Sequence, residues 1–192
     1  MAKVSGGGLP RRAVAALWVC LAVAPGLAPR PSFAAPAATD ASLEYAIKAA
    51  DLLKFTKFIE WPADTLGAPD AAFNICIWGN NPFGEILDQV VSGEVAYGRK
   101  IAVQRLVREP APGACQVLFV GSPEEAGAVG RPARGSGVLT VGEGEDFARN
   151  GGMIGFVIEN RRVTFDINWQ AAERAGLKLS SGLLGVARSV IR

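Results

Sequence analysis

Two short apolar runs, residues 116–120 and 138–141, constrain the fold of this chain more than any other feature. Runs of four or five residues without alternation are typical of strands that helices cover on both faces. Other segments with helical or alternating apolar spacing precede or separate them: 73–78 and 101–107 as strands, 83–91 as a helix, and 122–125 as a helix start. This order predicts an α/β fold, a three-layer α/β/α single domain with a mixed sheet.

The last third of the chain has a different pattern. Residues 153–158 and Arg162–Asn168 are strands with a short turn between them, which predicts an antiparallel hairpin in which Asn160 tolerates positive φ. Ser180 or Ser181 then caps a final helix. The apolar side of that helix is formed by Leu183, Leu184, Ala187, Val190 and Ile191. We therefore expect the domain to end in this hairpin and a C-terminal helix.

Residues 46–62 predict a helix that Trp61-Pro62 stops, because the residue before a proline is restricted to extended geometry. Its apolar residues occupy two sides. Leu53, Ala50 and Ile47 form one side, and Leu52, Phe55 and Ile59 form the other. Two interpretations remain open. The helix is buried between two layers of one domain, or its second side contacts another subunit or a partner.

The N-terminus predicts export. A positive n-region, an apolar run from Ala13 and the small residues around Ala34 form a signal peptide over 1–34, followed by a linker (35–41) and the domain (42–192). The protein is then periplasmic, with no direct membrane insertion after cleavage, because prolines interrupt the short apolar run. The leader holds four of the 20 basic residues, which leaves 16 against 18 acidic ones, a net charge of −2. This balance argues against nucleic-acid binding, which needs a basic surface.

Cys76 and Cys115 are the cysteines of the mature chain. In an oxidising periplasm an isolated pair favours a disulfide, and the alternative is two buried free thiols. Their spacing is far too wide for a redox motif of two cysteines separated by two residues.

The composition excludes most catalytic sites. The chain has no histidine, which removes serine and cysteine hydrolase triads and histidine-containing metal sites. Gly142-Glu143-Gly144 imitates a dinucleotide-binding loop, but the third glycine is missing and nearby acids would repel phosphate. We expect no cofactor and no metal. Carboxylates that folding could still bring together are Glu60, Glu159, Asp166 and Glu173.

One strand offers a polar face that could bind a ligand. Arg162, Thr164, Asp166 and Asn168 share it by the period of two. A small ligand would then contact Glu60, Arg162 and Asn168. The alternative is a face that is simply solvated.

Segments in order along almost the whole mature chain resemble the YfiR-like periplasmic family. They are Ile47-Lys48-Ala49-Ala50, Lys57-Phe58-Ile59-Glu60-Trp61-Pro62, Trp78-Gly79-Asn80-Asn81-Pro82-Phe83-Gly84, Gly98-Arg99-Lys100-Ile101, Cys115-Gln116-Val117-Leu118-Phe119, Leu139-Thr140-Val141-Gly142, Gly151-Gly152-Met153-Ile154, Arg162–Asn168 and 171–184. The resemblance implies a non-enzymatic regulator of α/β fold. Cys76 and Cys115 match a disulfide position of the family's namesake, whereas the namesake's second cysteine pair is absent.

The resemblance also implies partners. The namesake restrains the periplasmic sensor domain of an inner-membrane diguanylate cyclase (YfiN), similar domains accompany sensor kinases, and members often form homodimers. We therefore expect a regulator whose partner-binding surface lies on the opening helix. Its predicted residues are Lys54, Phe55, Lys57, Phe58 and Ile59. The alternatives are a small-ligand sensor and an enzyme of unrecognised type.

Overall fold

The computed structural model describes residues 40–122 and 137–192. The helices are α1 (Asp40–Phe58), α2 (Ile86–Val91), α3 (Glu145–Arg149), α4 (Trp169–Arg174) and α5 (Ser181–Val186). The strands are β1 (Ile59–Glu60), β2 (Phe73–Trp78), β3 (Val95–Ala96), β4 (Arg99–Leu106), β5 (Val117–Val120), β6 (Leu139–Glu143), β7 (Ile154–Glu159), β8 (Arg162–Asn168), β9 (Lys178–Leu179) and β10 (Ser189–Ile191). The predicted signal peptide and the helix expected from 122–125 lie outside the described residues, the latter apart from its first position.

The described strands form one mixed sheet in the order β10-β8-β7-β6-β5-β2-β4-β3, and β1 pairs separately with β9. The neighbours from β4 through β2, β5 and β6 to β7 run parallel. β8 is antiparallel to β7, and β10 lies parallel to β8 at the edge. The mixed sheet with its antiparallel hairpin is therefore confirmed.

Side chains of the central strands alternate between two cores. Ile75 and Ile77 of β2 join the main core with α1, α2, α4 and α5. Cys76 and Trp78 point to a smaller core on the opposite face, which includes Phe147 of α3. Because helices contribute to both cores, the three-layer prediction is also confirmed.

The Trp-Pro stop ends α1 as expected, but the helix spans Asp40–Phe58 rather than 46–62. The chain leaves it to pair as β1 with β9. Trp61 is buried, and its indole Nε1 donates to the carbonyl of Gln116 at 3.2 Å. The Tyr97 hydroxyl donates to the carbonyl of Ile59 at 2.6 Å. The motif therefore anchors the end of α1 against the strands.

Cys76 and Cys115 form the predicted disulfide, with their Cα atoms 5.8 Å apart. Cys76 belongs to β2, and Cys115 lies two residues before β5, the parallel neighbour of β2. The bond therefore joins the chain at two adjacent positions of the central sheet. Both cysteines are buried in the smaller core.

The hairpin from β7 to β8 turns over two residues. Asn160 and Arg161 have φ of 50° and 62°, and Glu159 pairs with Arg162 on either side of them. Positive φ at both positions is the geometry that a two-residue turn needs to match the strand twist. The turn fixes the register of the whole hairpin.

The prediction of a final helix through Ile191 is wrong in its extent. Ser180 caps α5 by accepting the backbone N–H of Leu183 at 3.2 Å, but the helix ends at Val186. The last residues form β10 instead, with Val190 opposite Ile167 of β8. β-Branched residues suit a strand, and at the sheet edge they gain a pairing partner that a helix would not give them.

Candidate functional site

An open apolar groove lies between α1, β8 and α5. Its volume is about 410 Å³. Its walls are formed mainly by Lys54, Phe58, Val163, Phe165, Leu183 and Val186. We call it the α1–β8 groove.

The floor of the α1–β8 groove belongs to the core, and its rim is exposed. Phe55 and Phe165 are buried and meet edge to face, with ring centroids 5.2 Å apart. At the rim, 47% of Phe58 and 68% of Val186 is exposed. The groove therefore presents apolar side chains on a packed support, which favours binding of another surface without rearrangement of the chain.

The exposed side of α1 extends this apolar rim. Leu43, Ile47, Lys54 and Phe58 fall within about 60° on a helix of 100° per residue. Leu43 and Ile47 are both exposed. Asp51 and Lys54 form an ion pair of 3.0 Å next to the rim. A clustered set of exposed apolar residues with charges among them is typical of an interaction surface.

The structure places only some of the predicted partner-binding residues at the α1–β8 groove. Lys54 and Phe58 lie at the α1–β8 groove. Lys57 lies away from it and pairs with Glu94 at 3.1 Å. Phe55 and Ile59 are each only 1% exposed. Phe55 lies at the floor of the groove and Ile59 does not line it, so neither offers an exposed apolar anchor. Both residues are part of the main core because the side of α1 that carries them faces the sheet.

The structure does not bring the predicted ligand residues together. Asn168 is buried, where its Oδ1 accepts the N–H of Ala171 and caps α4 and its Nδ2 donates to the carbonyl of Ala148 at 2.7 Å. Arg162 is exposed at the other end of β8, about 20 Å away at 3.3 Å per residue. Glu60 lies in β1 beside Lys178. Asn168 has a structural role, and the proposed ligand site built on these three residues is wrong.

The sequence did not point to Arg188, which forms ion pairs with three carboxylates at the edge of the sheet. Its Nε and Nη2 donate to Asp166 at 2.9 and 2.6 Å, and its Nη1 donates to Glu145 at 3.0 Å. Glu159 lies 3.7 Å from the same Nη1. The bonds with Asp166, and then with Glu145, raise the pKa of Arg188 above its usual range. The acids therefore converge on a guanidinium and hold β10 in place, rather than forming a hydrolytic pair. The only local signal was a lone basic residue within an apolar tail.

A second ionic cluster fixes α1 to the carboxyl end of β6. The Lys48 ammonium is 4% exposed and bonds to Glu44 and Glu143. Burial on its own would lower the pKa of Lys48, but the hydrogen bonds that its ammonium donates to Glu143 and Glu44 raise the pKa overall. Burial, and next the charge of Glu143, raises the pKa of Tyr45. Lys48 is therefore a charged structural link, and sequence reasoning had placed no role on it.

Gly142 of the sequence that imitates a dinucleotide loop serves packing instead, as does Gly152 outside that sequence. A Cβ on Gly142 would lie 2.3 Å from the ring of Phe147, and one on Gly152 would lie 2.1 Å from it. The ring fills the space that a side chain would need. Within 40–122 and 137–192 there is no group of three metal-binding side chains and no helix long and apolar enough to cross a membrane.

Comparison with known proteins gives a family match and similar solved structures. A model of the YfiR/HmsC-like family matches residues 45–188. The chain is also similar to a solved structure described as the ABC domain in complex with L-Trp from Streptococcus pneumonia, with 11% sequence identity and a TM-score of 0.49. That match covers 76% of this chain and 60% of the other, so the chain spans less than two thirds of its length.

Proposed function

The chain belongs to the YfiR/HmsC-like family, and from that premise we propose that it binds the periplasmic sensor domain of an inner-membrane diguanylate cyclase and restrains it. Membership supports a periplasmic regulator in cyclic-di-GMP signalling, and the family is regulatory and non-catalytic. The proposal adds a direct partner and a surface for it.

The observation that carries the proposal is the α1–β8 groove. Four of the exposed large apolar side chains lie on the elements around it: Leu43, Ile47, Phe58 and Val186. Phe58 and Val186 stand at its rim. Covering such side chains removes apolar area from water, at about 25 cal/mol per Å². Aromatic residues that become buried on binding dominate the binding energy of many interfaces.

Restraint follows from differential affinity. A regulator that binds one arrangement of the sensor domain more tightly than the other shifts the population toward the bound arrangement. A hundredfold shift requires an affinity difference of about 2.7 kcal/mol. A few well-placed apolar contacts in the α1–β8 groove are of this size.

Phe58→Asp tests the proposal, because it places a charge at the rim without touching the floor. Val107→Asp is the matched control, since Val107 is 93% exposed and is not among the residues that line the groove. We expect Phe58→Asp, but not Val107→Asp, to weaken binding to the cyclase's purified periplasmic domain by more than about tenfold. In cells lacking the wild-type chain, Phe58→Asp should leave cyclic-di-GMP high and Val107→Asp should lower it.

Equal binding and equal repression by the two variants would refute the groove as the partner surface. A partner that proves to be a sensor kinase, with kinase output rather than cyclic-di-GMP changed, would refute the cyclase assignment. The homodimer that the resemblance implies is measured on the same samples by sedimentation. Loss of the dimer in Phe58→Asp alone would assign the groove to a second copy instead.

A further inference from the structure

The outer edge of β8 is paired along only part of its length. β8 spans Arg162–Asn168, but β10 lies opposite only its last three residues, from Asp166 to Asn168. Among the described residues no strand lies beside Arg162–Phe165 on this side. Burial follows the same division, because β8 is buried from Phe165 onward, whereas Val163 and Thr164 are half-buried and Arg162 is exposed. The first half of the strand is therefore a free sheet edge.

Alternation identifies which backbone groups face this edge. The N–H of Asn168 donates to Met153 on the β7 side, whereas the carbonyl of Phe165 accepts the N–H of Arg188 on the β10 side. Neighbouring residues of a strand point their backbone N–H and C=O groups to opposite edges. Val163 is two residues from Phe165, so its backbone groups point to the same edge as those of Phe165. Val163 thus presents both an N–H and a C=O to the free edge, while the carbonyl of Phe165 is already used.

The free edge and the α1–β8 groove are continuous. Val163 and Phe165 line the groove with their side chains while Val163 offers its backbone to the edge. A residue placed opposite Val163 in an added strand would direct its side chain to the same face, toward Phe58 and Val186. Its two neighbours would point to the other face, beside Arg162 and Thr164. The site therefore fits an extended segment with a bulky apolar residue between two polar ones.

We propose that the partner segment bound at the α1–β8 groove is an extended peptide that adds as a strand to the free edge of β8 at Val163. This inference rests on the proposed function and specifies the partner's local conformation. Strand addition draws affinity from main-chain hydrogen bonds and specificity from pockets for alternate side chains, and this edge supplies both.

A second copy of the chain fits the same edge poorly. The edge that would pair also carries β10, so in a symmetric antiparallel pairing around Val163 the β10 of one copy would meet the Asn160-Arg161 turn of the other. A peptide has no such obstacle. The short length of the open edge also suits a peptide rather than another sheet.

Val163→Pro tests the backbone bond, and Val163→Ala is its matched control. Proline removes the outward N–H and is tolerated where that N–H faces solvent on an edge strand. Alanine loses the valine side chain but keeps the N–H. Thermal unfolding of both variants comes first, and similar midpoints show that the proline has not unfolded the hairpin.

The binding probe is a random peptide library displayed on phage and selected on the wild-type chain. We expect the enriched peptides to carry an apolar residue between polar ones and to bind Val163→Pro about tenfold or more weakly than Val163→Ala, because both variants lose the valine side chain and only proline also loses the N–H. A synthetic copy of one such peptide should also slow amide exchange at Val163 in NMR spectra. If Val163→Pro unfolds, the same exchange measurement and an N-methylated copy of the peptide test the bond on the wild-type chain.

The experiments distinguish failure of strand addition from failure of the proposed function. No enriched peptide, equal binding to both variants, or unchanged exchange at Val163 would overturn strand addition. Protection of Val163 that rises with protein concentration in the absence of peptide would assign the edge to a second copy. If the cyclase domain binds Val163→Pro normally but does not bind Phe58→Asp, the proposed function stands and strand addition falls. Peptide binding without any effect of Phe58→Asp on the cyclase would refute the groove as the cyclase's surface while strand addition at the edge stands.

Discussion

Reduction of the Cys76–Cys115 disulfide should cost the protein a large part of its stability. The two cysteines are 39 positions apart in sequence. In the chain-entropy model, a loop of this length stabilises the folded state by about 4 kcal/mol at 25 °C. For a domain of this size that corresponds to a fall in Tm of about 8–16 °C.

Thermal and urea unfolding of the wild-type chain, with and without reductant, measure the cross-link alone because both sulfurs remain. A Cys76→Ala/Cys115→Ala variant should be at least as unstable as the reduced wild type. It also loses buried sulfur atoms, since both cysteines are in the smaller core. Reductant should not change the unfolding of this variant, which controls for effects on the rest of the chain. A reduced wild type within about 1 kcal/mol of the oxidised form would refute the loop argument.

Three further measurements test the interior. Phe147→Ala should cost about 3–4 kcal/mol of unfolding free energy, because the ring fills space left by glycines. Phe147→Leu should cost clearly less, and equal losses would contradict this packing role. Asn168→Ala should cost about 1–2 kcal/mol through the lost helix cap, and Asn168→Asp, which keeps the capping oxygen, should recover part of it in urea unfolding. Tyr45 and Tyr97 are the two tyrosines of the chain, and burial is the main cause that raises the pKa of each. Since the unfolded chain ionises near its usual pKa of about 10, stability should fall as pH rises above that value. Tyrosinate absorbance of the folded protein should appear only at higher pH, and a rise centred on the usual pKa before unfolding would contradict it.

The strands were predictable where their residues match a single period. The β2 prediction matches Phe73–Trp78, and β8 was predicted with its bounds, because apolar and polar side chains alternate along them. The continuous apolar runs at β5 and β6 indicated strands covered on both faces, which the two cores confirm. Local pattern is sufficient when a single period runs through the whole strand.

The tail after α5 was not predictable from spacing. The spacing of the apolar residues fits one continuous helix as well as it fits the observed helix followed by a strand. These residues are Leu183, Ala187, Val190 and Ile191. The decision rests on Arg188, which bonds to Asp166 and so places the tail beside β8. That contact joins residues 22 positions apart, and a local window of sequence does not contain it.

Only part of the α1–β8 groove was predictable from the sequence, for a related reason. A helical wheel shows that α1 has two apolar sides, but it does not show which one the sheet covers. Phe55 and Phe58 are equally apolar in sequence, yet one is in the core and the other is at the rim. The free edge of β8 depends on where β10 begins, and that is set by the long-range contact of Arg188.

The two-residue turn at Asn160-Arg161 limits how this hairpin can change in length. Because side chains alternate, one residue inserted after Arg162 would turn the rest of β8 over. Asp166 would then take the place of Ile167 in the apolar core, and Phe165 would replace it beside Arg188. The surface segment from Val107 to the disulfide has no pairing partner to disturb along most of its length. Insertions and deletions among natural relatives should therefore collect in that segment and avoid the hairpin.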